Sequence, residues 1–421
     1  MATNPPALLD LPPSPIPAVL LGGVTLVRCL GLAGIPAVIA SPDPSEPAFA
    51  SRHCRAASVI PPYDHPKAVN RLLAIGERLR TLARRRVPLL CGSDDALQFI
   101  YAHRDRLRRH FAVLLNEPAI ASALIDKDRF QALAAERGLP VPRELRWESK
   151  GPDGLATAAG PIIVKPRSKV DFHDSQLDKL VFGGDAKALV LATGAEAMDD
   201  PALAIFREQL TFQEFIPGDD GSLWSYHGFS DEKGEVLAAF VGRKIRTDPP
   251  VTGESAFIEM AEEPSLASLG REIAGRLRLR GPFKMDFKRD ARDGRWWLLE
   301  INARHNLWHY LAARNGLNLV RVAYDYLLDR KRPAEASVRM RYRWLSLEGD
   351  WRAYRALHAR GELSTARWLA SIAASRNVYN LFAWDDPGPW LRFWRLRLAR
   401  RMNRGSERFV AMVRQWRSTA S

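Results

Sequence analysis

Apolar runs separated by glycine, proline and short polar turns divide this chain into alternating strands and helices. Ala18-Val19-Leu20-Leu21 reads as a strand running into Gly22-Gly23, Thr25 to Leu32 as a helix, and Gly34 to Ala40 as a second strand. Strand, glycine turn, helix and strand make a right-handed βαβ unit of a parallel sheet. A helix at about 66–86, a strand at Val87 to Leu90 and a Ser93-Asp94-Asp95 cap for the next helix follow. Residues 15–118 are therefore expected to form an α/β domain resembling a nucleotide fold. Gly22-Gly23 is too short for the dinucleotide fingerprint, and no acidic ribose ligand sits at the spacing that motif needs, which excludes an NAD site.

Beyond this domain the pattern changes. Asp126 to Arg137 is a capped helix that ends at Gly138 and is closed by Pro140 and Pro142. Pro161 to Pro166 is a short buried strand carrying Lys165 near its end, and a polar loop runs from Arg167 to Lys179. Phe212 to Ile216 is a strand broken by Pro217-Gly218. Leu223 to Phe229 and Val236 to Arg246 alternate apolar and polar residues as two antiparallel strands. Two further apolar runs, Gly281 to Lys288 and Trp296 to Asn302, flank Arg292-Asp293-Gly294 and predict a β-hairpin.

That hairpin carries the chemistry. Glu300 and Asn302 stand at i and i+2, so both side chains leave one face, and Asp286 on the partner strand can be brought opposite them. Three oxygen donors on a rigid hairpin suit a hard cation such as Mg²⁺, with positions left over for phosphate oxygens. The plain alternative is a solvated acidic hairpin.

The upstream pieces decide between the two. Asp126-Lys127 opening its helix, Ile163-Val164-Lys165-Pro166, Gln213-Glu214-Phe215-Ile216-Pro217-Gly218, Gly242-Arg243-Lys244-Ile245-Arg246, and Asp286 with Glu300-Ile301-Asn302-Ala303-Arg304 occur in one order over some 180 residues. In that order they resemble the ATP-grasp superfamily, in its carboxylate–amine ligase-like branch with a preceding α/β domain. The resemblance implies an α+β ATP-grasp domain over 119–332, after a pre-ATP-grasp parallel α/β domain at 15–118 and a loose arm at 1–14. It implies ATP and Mg²⁺ as cofactors, with Asp286, Glu300 and Asn302 on the metal and Lys127 and Lys165 on the phosphates. Gln213, Glu214, Phe215 and Ile216 would form the hinge against adenine, Asp219 or Asp220 would take the ribose hydroxyls, and Ser168, Lys169 and His173 would contact phosphate from the loop. Arg246 with Lys244, or Arg243 with a partner, would face the transferred phosphoryl group. Arg304 would stabilise charge on an acyl phosphate. That loop lacks the glycines often found where such a segment closes over phosphates.

The implied reaction joins a small-molecule carboxylate to an amine through an acyl phosphate. Two rival readings are an ATP-grasp kinase, and a non-catalytic nucleotide-binding or membrane-associated protein. His305 and His309, four residues apart, resemble a metal pair without a third ligand, and a substrate-pocket or structural role is preferred.

Composition sets the rest. The chain has 421 residues, 46% apolar and 26% charged, which suits a globular protein of two to four units. No apolar run is long enough to cross a membrane. The proline-rich start has no basic region of a signal peptide, and Cys29, Cys54 and Cys91 lie far apart, as free thiols of a reducing cytoplasm do. Of the net charge of +14, residues 331–421 hold an excess of 12, with 19 Lys and Arg against 7 Asp and Glu, and 7 of the 12 tryptophans. Residues 333–421 are accordingly expected to be a basic helical extension. Its stripe of Leu391, Trp394, Leu398, Met402, Phe409, Val413 and Trp416, opposed by arginines 392 to 404, is expected to pack on the protein's own core or on a second copy. An anionic membrane surface is the alternative partner, giving a peripheral location, and a nucleic acid the least favoured.

Overall fold

The computed structural model describes residues 15–149, 151–167, 175–183 and 188–401. Ser168, Lys169, His173 and the stripe from Met402 onward lie outside the described residues. The described chain divides into two compact units, 15–113 with 381–401, and 114–380.

In the first unit the three central strands are largely apolar and buried on both faces, as a parallel sheet requires. β1 (Ala18–Leu21), β2 (Ala37–Ser41), β3 (Cys54–Val59), β4 (Val87–Cys91) and β5 (Phe111–Ala112) pair in parallel in the order β3-β2-β1-β4-β5. Gly22 and Gly23, at φ of 77° and 97°, make the turn from β1 into α1 (Val24–Leu32), a conformation other residues reach only at a cost. Helices α2 (Lys67–Ala83) and α3 (Asp94–Ala102) follow, and the Ser93 hydroxyl caps α3 by accepting from Ala96 N. None of the three cysteines forms a disulfide.

The second unit contains two sheets. The smaller is built of β6 (Glu144–Leu145), β7 (Ile162–Pro166), β8 (Leu189–Leu191) and β9 (Leu210–Glu214), antiparallel in the order β6-β9-β7-β8. The larger has seven strands in the order β14-β13-β10-β11-β12-β15-β16. They are β10 (Leu223–Ser230), β11 (Val236–Asp248), β12 (Glu254–Met260), β13 (Gly281–Arg289), β14 (Trp296–Asn302), β15 (Tyr342–Leu345) and β16 (Arg376–Tyr379). One face of this sheet buries Tyr226, Phe283, Met285, Phe287, Leu298 and Ile301 against Phe130, Leu133, Leu266 and Ile273. Those partners come from α5 (Lys127–Glu136), which follows α4 (Pro118–Ile125), and from α6 (Pro264–Arg276). The opposite face carries the polar positions of the same strands. Its end is capped by α7 (Trp308–Arg314), and α8 (Leu319–Asp329) follows.

Over its described residues, 333–401, the extension expected at 333–421 is not purely helical. β15 joins β12 and β16 joins β15, so residues 342–379 widen the large sheet. Helices α9 (Leu347–Ala359) and α10 (Thr365–Ala373) connect them. The reason lies in one short apolar run: Trp344 and Leu345 are buried, and sheet pairing satisfies their backbone where a helix would not reach the β12 edge. From 381 the chain belongs to the first unit. There Asp386, almost fully buried, accepts from Arg28 Nε at 3.0 Å, Ser51 Oγ at 2.8 Å and Arg52 N at 2.8 Å, while Arg28 Nη2 donates to the Leu381 carbonyl at 2.7 Å.

Removing one partner of a buried, hydrogen-bonded ion pair strands the other. Asp386→Ala is expected to destabilise the first unit by about 3–5 kcal/mol, read as a lower urea midpoint. An unchanged midpoint would show that the pair does not hold the 381–401 segment.

Candidate nucleotide and metal site

The hairpin β13–β14 places its polar side chains by strand alternation. Phe283, Met285 and Phe287 enter the core, so Lys284, Asp286 and Lys288 line the other face. Asp286 pairs in register with Glu300, and Lys284 with Asn302. A β-bulge between Asp286 and Phe287 leaves Leu299 without a partner, so that Leu298 and Ile301 both reach the core while Glu300 and Asn302 remain on the polar face.

The three expected metal ligands therefore meet. Asn302 Nδ2 donates to Glu300 Oε1 at 3.0 Å, and Glu300 lies within hydrogen-bonding reach of Asp286. Asp286 accepts from Ser225 Oγ on β10 and holds Lys284 Nζ 2.6 Å from its Oδ2. Burial alone would push the Asp286 carboxyl up, but Lys284, Lys244 and the Glu300 contact outweigh it and hold it below the usual range. The site thus keeps an anionic carboxylate and seats a positive charge beside it. Two carboxylates and an amide oxygen suit a hard divalent ion. Arg304, in the loop after β14, donates from Nη2 to Asn302 Oδ1 at 3.1 Å and so belongs to the same group.

Lysines surround these carboxylates. Lys244 on β11 lies close enough to Asp286 and Glu300 for both to favour its charge, and burial lowers its pKa. Lys165, near the end of β7 in the small sheet, feels Glu300 in the same way and donates to Gln213 Oε1 on β9 at 3.3 Å. Lys127, first residue of α5, donates to the Pro166 carbonyl beside Lys165. Lys165 and Lys244, one from each sheet of this unit, thus both lie within electrostatic range of Glu300.

The hinge run is held on both sides. Glu214 N donates to Arg143 O and Phe215 N to Pro161 O, both at 2.9 Å. The Glu214 carboxylate pairs with Arg292 at 3.2 Å. Asp219 is exposed and accepts from Ser222. Asp220 is excluded from a ribose role, because its buried carboxylate accepts from Thr247 N, Thr247 Oγ1 and Val251 N at 2.6–2.7 Å.

One expected residue is elsewhere. Arg246 was placed with Lys244 by counting two residues along a strand, but β11 bulges between them: Lys244 pairs with Ile258 and Arg246 with Phe257. An extra residue in a strand reverses the parity beyond it. Arg246 is instead buried against Asp350 of α9, with Nε to Oδ1 at 2.6 Å and Nη2 to Oδ2 at 3.1 Å, and Trp368 Nε1 on α10 donates to the same carboxylate. It is a structural ion pair. Arg243 points to the other face and meets Glu259, which also takes Arg343.

Lys284, Ser225 and Lys288 were missed. Both lysines stand two residues from Asp286, so strand parity alone was the available signal. Lys288 is buried, with Nζ 4.1 Å from the Phe215 ring centroid, and burial pushes its pKa down to about 8. His305 and His309 share a buried network, Nδ1 to Nδ1 at 3.0 Å, in which Asn306 also reaches His227. Burial lowers the pKa of all three imidazoles. Among the described residues no three of His, Cys, Asp and Glu gather as a metal site.

With this geometry in place the comparisons can be read. No family model matches the chain. It is 26% identical over 275 residues to a D-aspartate ligase of Enterococcus faecium (strain Aus0004), a match covering 62% of this chain and 64% of that protein. The match thus spans less than two thirds of the relative's length. Among solved structures, the biotin carboxylase–β-γ-ATP complex of Campylobacter jejuni superposes with a TM-score of 0.54 at 11% identity, covering 77% of this chain and 74% of that one. The L-amino acid ligase of Bacillus licheniformis gives 0.50 at 15% identity, over 74% and 73%. The fold is that of these solved structures, an ATP-grasp fold.

Lys288 supplies a pH test. Its pKa is lower in the folded chain, so between about 8 and 10.5 the unfolded chain binds more protons and stability rises with pH. Lys288→Met is expected to remove that rise, measured by urea unfolding of both proteins near the ends of this window. Equal slopes would contradict the buried, lowered lysine.

Proposed function

We propose that this protein is an ATP-dependent ligase that activates a carboxylate as an acyl phosphate and joins it to an amine. The observation that carries the reading is the Asp286–Glu300–Asn302 group facing Lys165 and Lys244 across the two sheets. The similarity to a D-aspartate ligase supports it and makes an aspartate-like acid the first substrate class to test.

In this reading the Glu214 carbonyl and the Ile216 N–H receive the adenine edge between Gln213 and Phe215, and Asp219 takes the ribose hydroxyls. Lys127 and Lys165 neutralise phosphate charge from one side and Lys244 from the other, Lys165 and Lys244 as ammonium groups already desolvated by burial. Asp286, Glu300 and Asn302 would hold Mg²⁺, which supplies charge neutralisation on the phosphate oxygens. Ser225 and Lys284 keep Asp286 ionised and oriented. Arg304, held by Asn302, stands where it stabilises the negative charge that develops as the acyl phosphate forms and is attacked. The chain's contribution is positioning and electrostatics, with no covalent enzyme intermediate. ATP supply fits work in the cytoplasm, and among the described residues no helix is long and apolar enough to cross a membrane.

The direct test is phosphate release from MgATP with aspartate, other amino acids and small dicarboxylates, singly and in pairs. Release that needs both an acid and an amine supports the ligase. Release with one compound and a stable phosphorylated product would instead establish a kinase. Glu300→Ala is expected to lower turnover at least about a hundredfold with an unchanged circular dichroism spectrum, and retained turnover would remove the metal assignment. Lys165→Ala is expected to raise the KM for ATP about tenfold or more, since it removes a desolvated phosphate contact.

A further inference from the structure

The reaction proposed above gives Lys284 no task beyond holding Asp286. Among the described residues its one ion pair is with that carboxylate, Nζ to Oδ2 at 2.6 Å, and the two side chains are only 14% and 10% exposed. Ser225 Oγ donates to the other oxygen, Oδ1. Lys284 therefore holds the Asp286 oxygen that a divalent ion would take. An ion coordinated there at about 2.1 Å would stand roughly 4 Å from the ammonium, where like charges repel strongly in a place largely closed to water. Both cations cannot keep that oxygen.

The surroundings of Lys284 say what it turns to instead. His227 on β10 and Asn302 on β14 flank it in register, and the Trp308 ring centroid is 5.6 Å from its Nζ. Trp308 is buried and lies so close to β11 that a Cβ on Gly242 would stand 2.5 Å from the indole. Burial holds the His227 imidazole neutral. None of these three neighbours carries charge, so the ammonium is satisfied by Asp286 or by an anion entering the site. Position identifies the anion. Lys288, Asp286 and Lys284 follow one another on a single face of β13 at intervals of about 7 Å. Lys288 marks the hinge end, with Nζ 4.1 Å from the Phe215 ring centroid, and Lys284 stands at the other end, beyond the candidate metal ligands.

We propose, resting on the ligase reading above, that Lys284 is a further catalytic residue. It fills the ion's place at Asp286 until a divalent ion displaces it, and then contacts the substrate carboxylate that is being activated. The lysine makes no bond and moves no proton; its ammonium exchanges one carboxylate for another. Its charge thus reaches the substrate only once the ion has bound, which ties activation of the acid to a loaded metal site.

Mn²⁺ binding to the full-length protein without nucleotide, followed by electron paramagnetic resonance, reads the first half. The parent is expected to bind an ion that Glu300→Ala loses, and Lys284→Met to bind it at least about threefold tighter, because the competing ammonium is gone. Lys284→Gln, which still donates to Asp286 but carries no charge, gives the same comparison where the methionine variant fails to fold by circular dichroism. A merely structural lysine predicts the opposite, since Asp286 would lose its support: equal or weaker Mn²⁺ binding by the variants overturns the proposal. The second half is read in the KM values. With the acid that releases phosphate in the parent, loss of the lysine is expected to raise the KM for that acid about tenfold or more and leave the KM for ATP within about twofold. An unchanged KM for the acid would also overturn it. Absence of Mn²⁺ binding by the parent would remove the metal assignment itself and this inference with it, whereas failure confined to the Lys284 variants leaves the ligase reading standing.

Discussion

Everything at the candidate site depends on the register of one hairpin. Pairing of Asp286 with Glu300 puts two carboxylates on the same face of a sheet whose other face is core. A shift by one residue would drive Asp286 into the hydrocarbon layer and expose Phe287. Burial of Phe283, Met285, Phe287, Leu298 and Ile301 therefore holds the candidate metal ligands in place from behind. The bulge that leaves Leu299 unpaired lets Leu298 and Ile301 both serve that layer without turning Glu300 or Asn302 away.

Two like-charged carboxylates brought together in a half-dry place would favour protonation of one of them. The sheet answers this with cations set by the same alternation. Lys284 contacts Asp286 directly, and Lys244 and Lys165 approach from β11 and from the small sheet. A carboxylate kept ionised by ammonium groups is ready for a harder cation, and lysines desolvated by burial are ready for phosphate. The polarity of the site is thus arranged before any ligand enters.

The segment after residue 333 shows how one stretch of chain serves two units. Asp350, on α9, closes the buried pair with Arg246 and takes the Trp368 indole, which anchors β15, α9 and α10 to the sheet that carries Lys244. Some thirty residues further on, Asp386 makes an equivalent buried pair with Arg28 of the first unit. In each case an aspartate in the later segment satisfies an arginine of the earlier fold, an arrangement that is costly to break once water has been excluded.

Local pattern was enough to read the parallel α/β unit, the capped helix at Lys127 and the hairpin with Asp286, Glu300 and Asn302. Each is governed by contacts between near neighbours: apolar periodicity, a cap, an Asp-Gly turn. Lys284 and Lys288 were also within reach of that logic, being on Asp286's own parity. Arg246 was not, because the bulge at Ile245 is demanded by pairing with β12 and by Asp350 a hundred residues away. The engagement of Asp220 by Thr247 and Val251, the strand pairing of Tyr342 to Leu345, and the exposure of Trp394 and Leu398 are likewise long-range decisions. The sequence by itself determined the chemical character of the candidate positions, carboxylates, an amide and lysines on strand and helix ends. Only the tertiary structure decided which of them face one another, since a side chain's direction after a bulge or a chain crossing depends on partners that local periodicity does not contain.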